Sequence, residues 1–128
     1  KDIEAAIKFF SEILGTKFSD VRREETFNLK VAISPLGVEL IQDTSSNGVI
    51  AKFIEKRGEG LQAIAFKVPD LEEAIAELGS RGMRLVGRTE AGKLKEAQFH
   101  PKDAYGVLIE LAEYEELHPA RVAALRQA

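Results

Sequence analysis

Both histidines, His100 and His118, stand directly before a proline, and the chain has no cysteine. Disulfides and thiolate nucleophiles are therefore excluded, and imidazole is confined to two turn-like positions. His100 reads as a structural residue at a strand end, and His118 as part of an added tail. The remaining groups able to bind a cation or move a proton are carboxylates. Two of them, Glu39 and Glu110, lie in related apolar stretches, Val38-Glu39-Leu40-Ile41 and Leu108-Ile109-Glu110-Leu111.

These stretches close the two halves of a repeat. Asp2-Ile3-Glu4-Ala5-Ala6-Ile7 is echoed by Asp70-Leu71-Glu72-Glu73-Ala74-Ile75, and Gly15 by Gly82, each glycine placed to end a helix. Ile3, Ile7, Phe10 and Leu14 share a helical stripe over residues 2–14. Strands are expected at 18–23, 27–34 and 38–42, then a loop at 43–48 and a short helix from Val49. The second half predicts a strand at 61–68, a helix at 70–80, and strands near 83–88, 95–100 and 106–112. No counterpart of strand 61–68 stands before Asp2. That opening strand is expected to be trimmed away or to come from elsewhere, such as a partner chain. Pro119 can open a terminal helix in which Val122 and Leu125 share a face.

The expected fold class is α+β. Two βαβββ modules, 1–57 and 58–113, share one core and form a curled mixed-sheet cup with a site between them, followed by a helical tail at 114–128. A length of 128 residues with 45% apolar content supports one compact core rather than two independent ones. A net charge of −3 with scattered Lys and Arg argues against nucleic acid as the main partner. No apolar run approaches a membrane span. The expectation is a cytoplasmic protein.

The stretches Ile50-Ala51-Lys52-Phe53-Ile54-Glu55-Lys56-Arg57-Gly58-Glu59-Gly60-Leu61, His100-Pro101-Lys102-Asp103 and Gly106-Val107-Leu108-Ile109-Glu110-Leu111 carry a resemblance. With the paired modules, they resemble the vicinal oxygen chelate superfamily of glyoxalases, bleomycin-resistance proteins and dioxygenases, and within it the methylmalonyl-CoA epimerases. The resemblance implies a glyoxalase-like fold, a homodimer, and Glu39 and Glu110 as metal ligands for Co, Mn, Ni or Zn. A carboxylate on an inward sheet face is costly unless compensated, and a divalent cation compensates it. One departure weighs against metal: Ala63 stands where family enzymes carry His, and a methyl group coordinates nothing. Gln62 is adjacent, but neighbouring strand residues point to opposite faces, so it replaces the imidazole only through a bulge.

The implied reaction is removal and return of the proton between the two carbonyl groups of a malonyl-type thioester. Glu110 is the implied acid/base on one face of that carbon and Glu25 on the other. An acyl-CoA arm would find Lys93, Lys95 and Lys102 for its phosphates. Two alternatives remain open: a metal-free small-molecule binding protein of the bleomycin-resistance type, which Ala63 suits, and a glyoxalase I-like lyase.

Overall fold

A computed structural model describes residues 1–115 and 117–127. The chain divides into two compact units, Lys1–Gly60 with Pro119–Ala128, and Leu61–His118. Both mix helices with a sheet, so the α+β class holds.

In the first unit, helix α1 (Ile3–Leu14) begins where the Asp2 carboxylate accepts from the Ala5 N–H at 3.1 Å, and ends at Gly15 with φ 61°. An L-residue at that φ would be strained, so glycine is the natural stop. Strands β1 (Arg22–Glu24), β2 (Leu29–Ile33) and β3 (Glu39–Asp43) follow in one antiparallel sheet of order β1-β2-β3. The hairpin is shorter than the apolar pattern suggests. The Glu24 carboxylate accepts from the Thr26 and Phe27 N–H groups, and Asn28 adopts φ 55°, so residues 25–28 turn instead of extending. Ile3, Ala32 and Ile33 are buried.

Helix α2 (Val49–Arg57) is fastened to the end of β3. One Asp43 carboxylate oxygen accepts from the Ser45 N–H and hydroxyl, both at 2.9 Å, and the other from the Ala51 N–H at 3.2 Å. The Ser45 N–H leads the groups that hold the Asp43 pKa below its ordinary value. That contribution to stability is present above the ordinary carboxylate pKa and fades as pH falls through the lowered one. Gly48 lies against this carboxylate, and a β-carbon there would collide with it. Gly48→Ala should displace the carboxylate and cost about 1–2 kcal/mol, the usual value of a lost helix cap, read as a lower urea midpoint.

In the second unit, β4 (Ala63–Lys67) leads to helix α3 (Leu71–Ser80), whose cap Asp70 accepts from the Glu73 N–H at 3.0 Å. Strands β5 (Leu85–Ala91), β6 (Leu94–Phe99) and β7 (Leu108–Glu113) complete a sheet of order β4-β7-β6-β5. Here β4 runs parallel to β7 and the other pairs are antiparallel. Leu71, Ala97, Phe99 and Leu111 form the core beneath α3, with Ala74, Ile75, Leu78 and Ile109 packed against them. The Arg84 guanidinium grips the Asp103 carboxylate, which also accepts from the Arg84 N–H, and holds its pKa down to about 2.

The terminal helix α4 (Pro119–Gln127) belongs to the first unit and packs on β2. Its buried contact is Ala124, while Leu125 is exposed. The Arg121 Nε donates to the Pro35 carbonyl at 2.8 Å, and the Gln127 side chain accepts from the Asp20 N–H. The tail is therefore tied down by polar contacts more than by the expected apolar stripe.

Candidate functional site

The same contact at the start of α1 and α3 fixes which strand residues correspond. The Ile3 N–H donates to the Gln42 side chain at 2.9 Å, and the Leu71 N–H donates to the Glu113 carboxylate at 3.3 Å. Gln42 and Glu113 thus face their helices at matching places. Three residues earlier on each strand stand Glu39 and Glu110, which by alternation lie on the face turned away from the helix. The pairs Ala32–Leu40 and Ala97–Leu111, of which all but the half-buried Leu40 are buried, agree with this register. It differs by one residue from a direct reading of the echo, which sets Ile33 against Phe99. In the folded chain Ser34 takes the place of Phe99, and both are fully buried.

The surroundings of the two carboxylates differ. Glu39 opens β3, is exposed, and sits across from Ile33. Glu110 lies mid-strand and half-buried, with Ala65 on one side and Gln98 on the other. Beyond Gln98 comes Gly87, where a β-carbon would stand 2.8 Å from the Gln98 Oε1. The absent side chain therefore makes room for the carboxamide. Ala63, Ala65, Leu108 and Ala112 share this helix-free face with Glu110. An imidazole at position 63 would consequently share the Glu110 side of the sheet. Gln62 does not, because the β4–β7 register is unbroken and offers no bulge to turn it.

The other expected residues are spread out. Glu25 occupies the exposed turn between β1 and β2. His100 is the turn residue its sequence suggests: its Nδ1 accepts from the Lys102 N–H at 3.1 Å, capping the short 3-10 turn Pro101–Asp103. Lys93 and Lys95 lie at one end of β6 and Lys102 beyond the other, so the three lysines form no single phosphate patch. Lys93 is paired with Glu115 at 3.2 Å.

His118 is placed differently from the expectation of an inert tail residue. Its Nε2 is 3.9 Å from the Glu96 Oε1, and both side chains are largely buried. Glu96 alternates with the core residue Ala97 and so shares the helix-free face with Glu110. Nothing in the sequence pairs these residues, because their approach depends on tertiary contacts.

Among the described residues no three His, Cys, Asp or Glu side chains gather as a metal cage. The donors on the Glu110 face are oxygens, from Glu110 and Gln98. Such a set suits a hard cation such as Mn better than Zn, which favours imidazole and thiolate. A recess of about 460 Å³ in the first unit, lined by Gln42, Asp43, Ala51 and Ile54, contains neither candidate carboxylate. No helix among the described residues is long and apolar enough to cross a membrane.

Comparison with known proteins places this architecture. The chain is 32% identical over 117 residues to the uncharacterized protein YqjC of Bacillus subtilis, covering 87% of this chain and 84% of that protein. It is 29% identical over 119 residues to the mitochondrial methylmalonyl-CoA epimerase of Mus musculus, covering 86% of this chain and 66% of the epimerase. The crystal structure of methylmalonyl-CoA epimerase from Mycobacterium tuberculosis superposes with a TM-score of 0.74 at 31% identity, over 96% of this chain and 85% of that one. Residues 1–100 match the family model Glyoxalase/Bleomycin resistance protein/Dioxygenase superfamily. With the two units and their matched closing strands in view, the chain belongs to the glyoxalase/bleomycin resistance protein/dioxygenase superfamily.

Proposed function

We propose that the chain is a methylmalonyl-CoA epimerase-like isomerase that moves the α-proton of a malonyl-type thioester. The observation that carries this reading is the equivalent placement of Glu39 and Glu110, each three residues before the side chain that meets its helix. Similarity to the mouse and mycobacterial epimerases supports the substrate class.

Glu110 is the proposed proton-transfer group. Its neighbours on that face, Ala63, Ala65 and Ala112, carry only methyl groups, and a positioned carboxylate can take up and return a proton. Gln98, directly across, brings an amide that can donate to an oxygen acquiring charge. Glu110, with the Gln98 carboxamide oxygen across from it, would offer oxygen ligands to a divalent cation, which when bound would supply positive charge to the enolate oxygens.

A second reading, a metal-free binding protein, is favoured by one observation: the Glu110 face offers methyl groups and no imidazole at position 63. Two measurements separate the readings. The isomerase should exchange the α-proton of a methylmalonyl thioester in deuterated water, and purified protein should retain Mn, Co, Ni or Zn in stoichiometric amount. Absence of exchange with and without each added metal would leave the binder as the surviving reading.

A further inference from the structure

Gly87 stands inside strand β5 with no backbone reason to be glycine. Unlike Gly82 and Gly92, it does not take positive φ, so an L-residue could adopt its conformation. The bulge beside it, where the register shifts between Leu85 and Gly87 and leaves Val86 over, does not call for glycine either, because the bulge type that needs one places it at positive φ. A glycine within a strand nonetheless weakens it, since more chain freedom is lost on folding and no side chain packs against the neighbouring strand. The return for that cost lies on the strand opposite.

Gln98 is the direct partner of Gly87 on β6, so the two positions share the helix-free face. A β-carbon on residue 87 would stand 2.8 Å from the Gln98 Oε1 and 3.8 Å from its Cδ, with the Nε2 end farther off. The carboxamide thus lies back over the backbone of β5, and Gly87 is the one residue of that strand that is not exposed. On its other side Gln98 stands directly across from Glu110. One amide therefore sits between the proposed proton-transfer group and a place on β5 that only a missing side chain keeps open.

We infer that Gly87 is a positioning residue for the reaction, acting through the Gln98 carboxamide, an inference that rests on the isomerase reading. When Glu110 takes the α-proton, the C–H electron pair enters the enolate and negative charge collects on the substrate's carbonyl oxygens. An amide donor serves that charge only from the right place, and a misplacement of about 1 Å can cost about 100-fold in rate. A methyl group on residue 87 would reach ordinary contact only after the Gln98 oxygen had moved by about 0.6 Å or more. The movement is away from β5 and towards Glu110, into the space the substrate needs. The bare backbone at position 87 is what holds that space clear.

Gly87→Ala suits the backbone and meets only the far end of a flexible side chain, so the variant should fold with an equal or higher urea midpoint. Its kcat for α-proton exchange from a methylmalonyl thioester in deuterated water should fall about 10–100-fold with KM within about threefold, the mark of a contact made in the transition state. Gln98→Ala should lower kcat by about 100-fold, the usual effect of losing one such donor. Adding Gly87→Ala to Gln98→Ala should change nothing further, because no carboxamide remains to be displaced. The Gln98 side-chain N–H signals in the NMR spectrum should shift between wild type and Gly87→Ala, a readout independent of catalysis. A wild-type kcat in Gly87→Ala, losses that add in the double variant, an unmoved Gln98 signal, or a Gly87→Ala chain that does not fold would each overturn the role of Gly87 while the isomerase reading stands. A wild-type protein that exchanges no α-proton would remove both.

Discussion

Phe99→Ala should cost about 3–5 kcal/mol, a large fraction of the roughly 5–15 kcal/mol that holds a domain folded. Phe99 is fully buried beneath α3 with Leu71, Ala97 and Leu111, on a central strand hydrogen-bonded on both sides. The backbone around it cannot collapse into the vacated space without breaking those ladders. The expected result is a lower urea midpoint with early loss of amide protection in β5, β6 and β7. The matching position of the first unit supplies the control. Ser34 is equally buried, and its hydroxyl has no hydrogen-bond partner among the described residues. Ser34→Ala should therefore be neutral or stabilising by about 1 kcal/mol, because it removes an unpaired buried polar atom. A Phe99→Ala variant that melts with the wild type would refute the assignment of the core.

Glu110→Gln is expected to lower α-proton exchange by about 10²–10⁴-fold, the usual contribution of a positioned acid or base. The amide keeps the shape of the carboxylate beside Ala65 and Gln98, so folding should survive. The same variant reports on the competing reading. A protein that binds no metal and catalyses nothing gains thermal stability if the lost charge was repelled by Glu96, and has no exchange to lose. Exchange within about threefold of wild type would show that this carboxylate takes no part in proton transfer.

Much of this was legible in the residues. The echo of Asp2–Ile7 in Asp70–Ile75 anticipates α1 and α3, and Gly15 and Gly82 do adopt positive φ. Capping and amphipathic periodicity are local, so they survive in sequence. The equivalence of Glu39 and Glu110 was harder to see, because the link between β6 and β7 carries the extra turn Pro101–Asp103 and shifts the apparent alignment. Only the hydrogen bonds to Gln42 and Glu113 set it straight. The hairpin at 25–28 was hidden because Phe27 looks like a strand residue, whereas the Glu24 side chain satisfies its N–H in a turn. The His118–Glu96 pair left no sequence trace at all. Glu96 lies on β6 and His118 beyond the end of β7, so only the folded chain brings them near each other.

The two sheets also differ at one border. Strand β7 has hydrogen-bonded strands on both sides, whereas β3 pairs with β2 alone among the described residues. A row of backbone amides and carbonyls left without a ladder recruits any extended peptide that comes near, including the same strand of another molecule. Here that rim is short, and it carries an acid at each end, Glu39 and Asp43. Like charges brought into register would repel, which opposes stacking of this rim on another copy. Glu39→Gln, which leaves the Asp43 contacts to α2 in place, should turn a well-behaved solution into one that clouds with time and concentration.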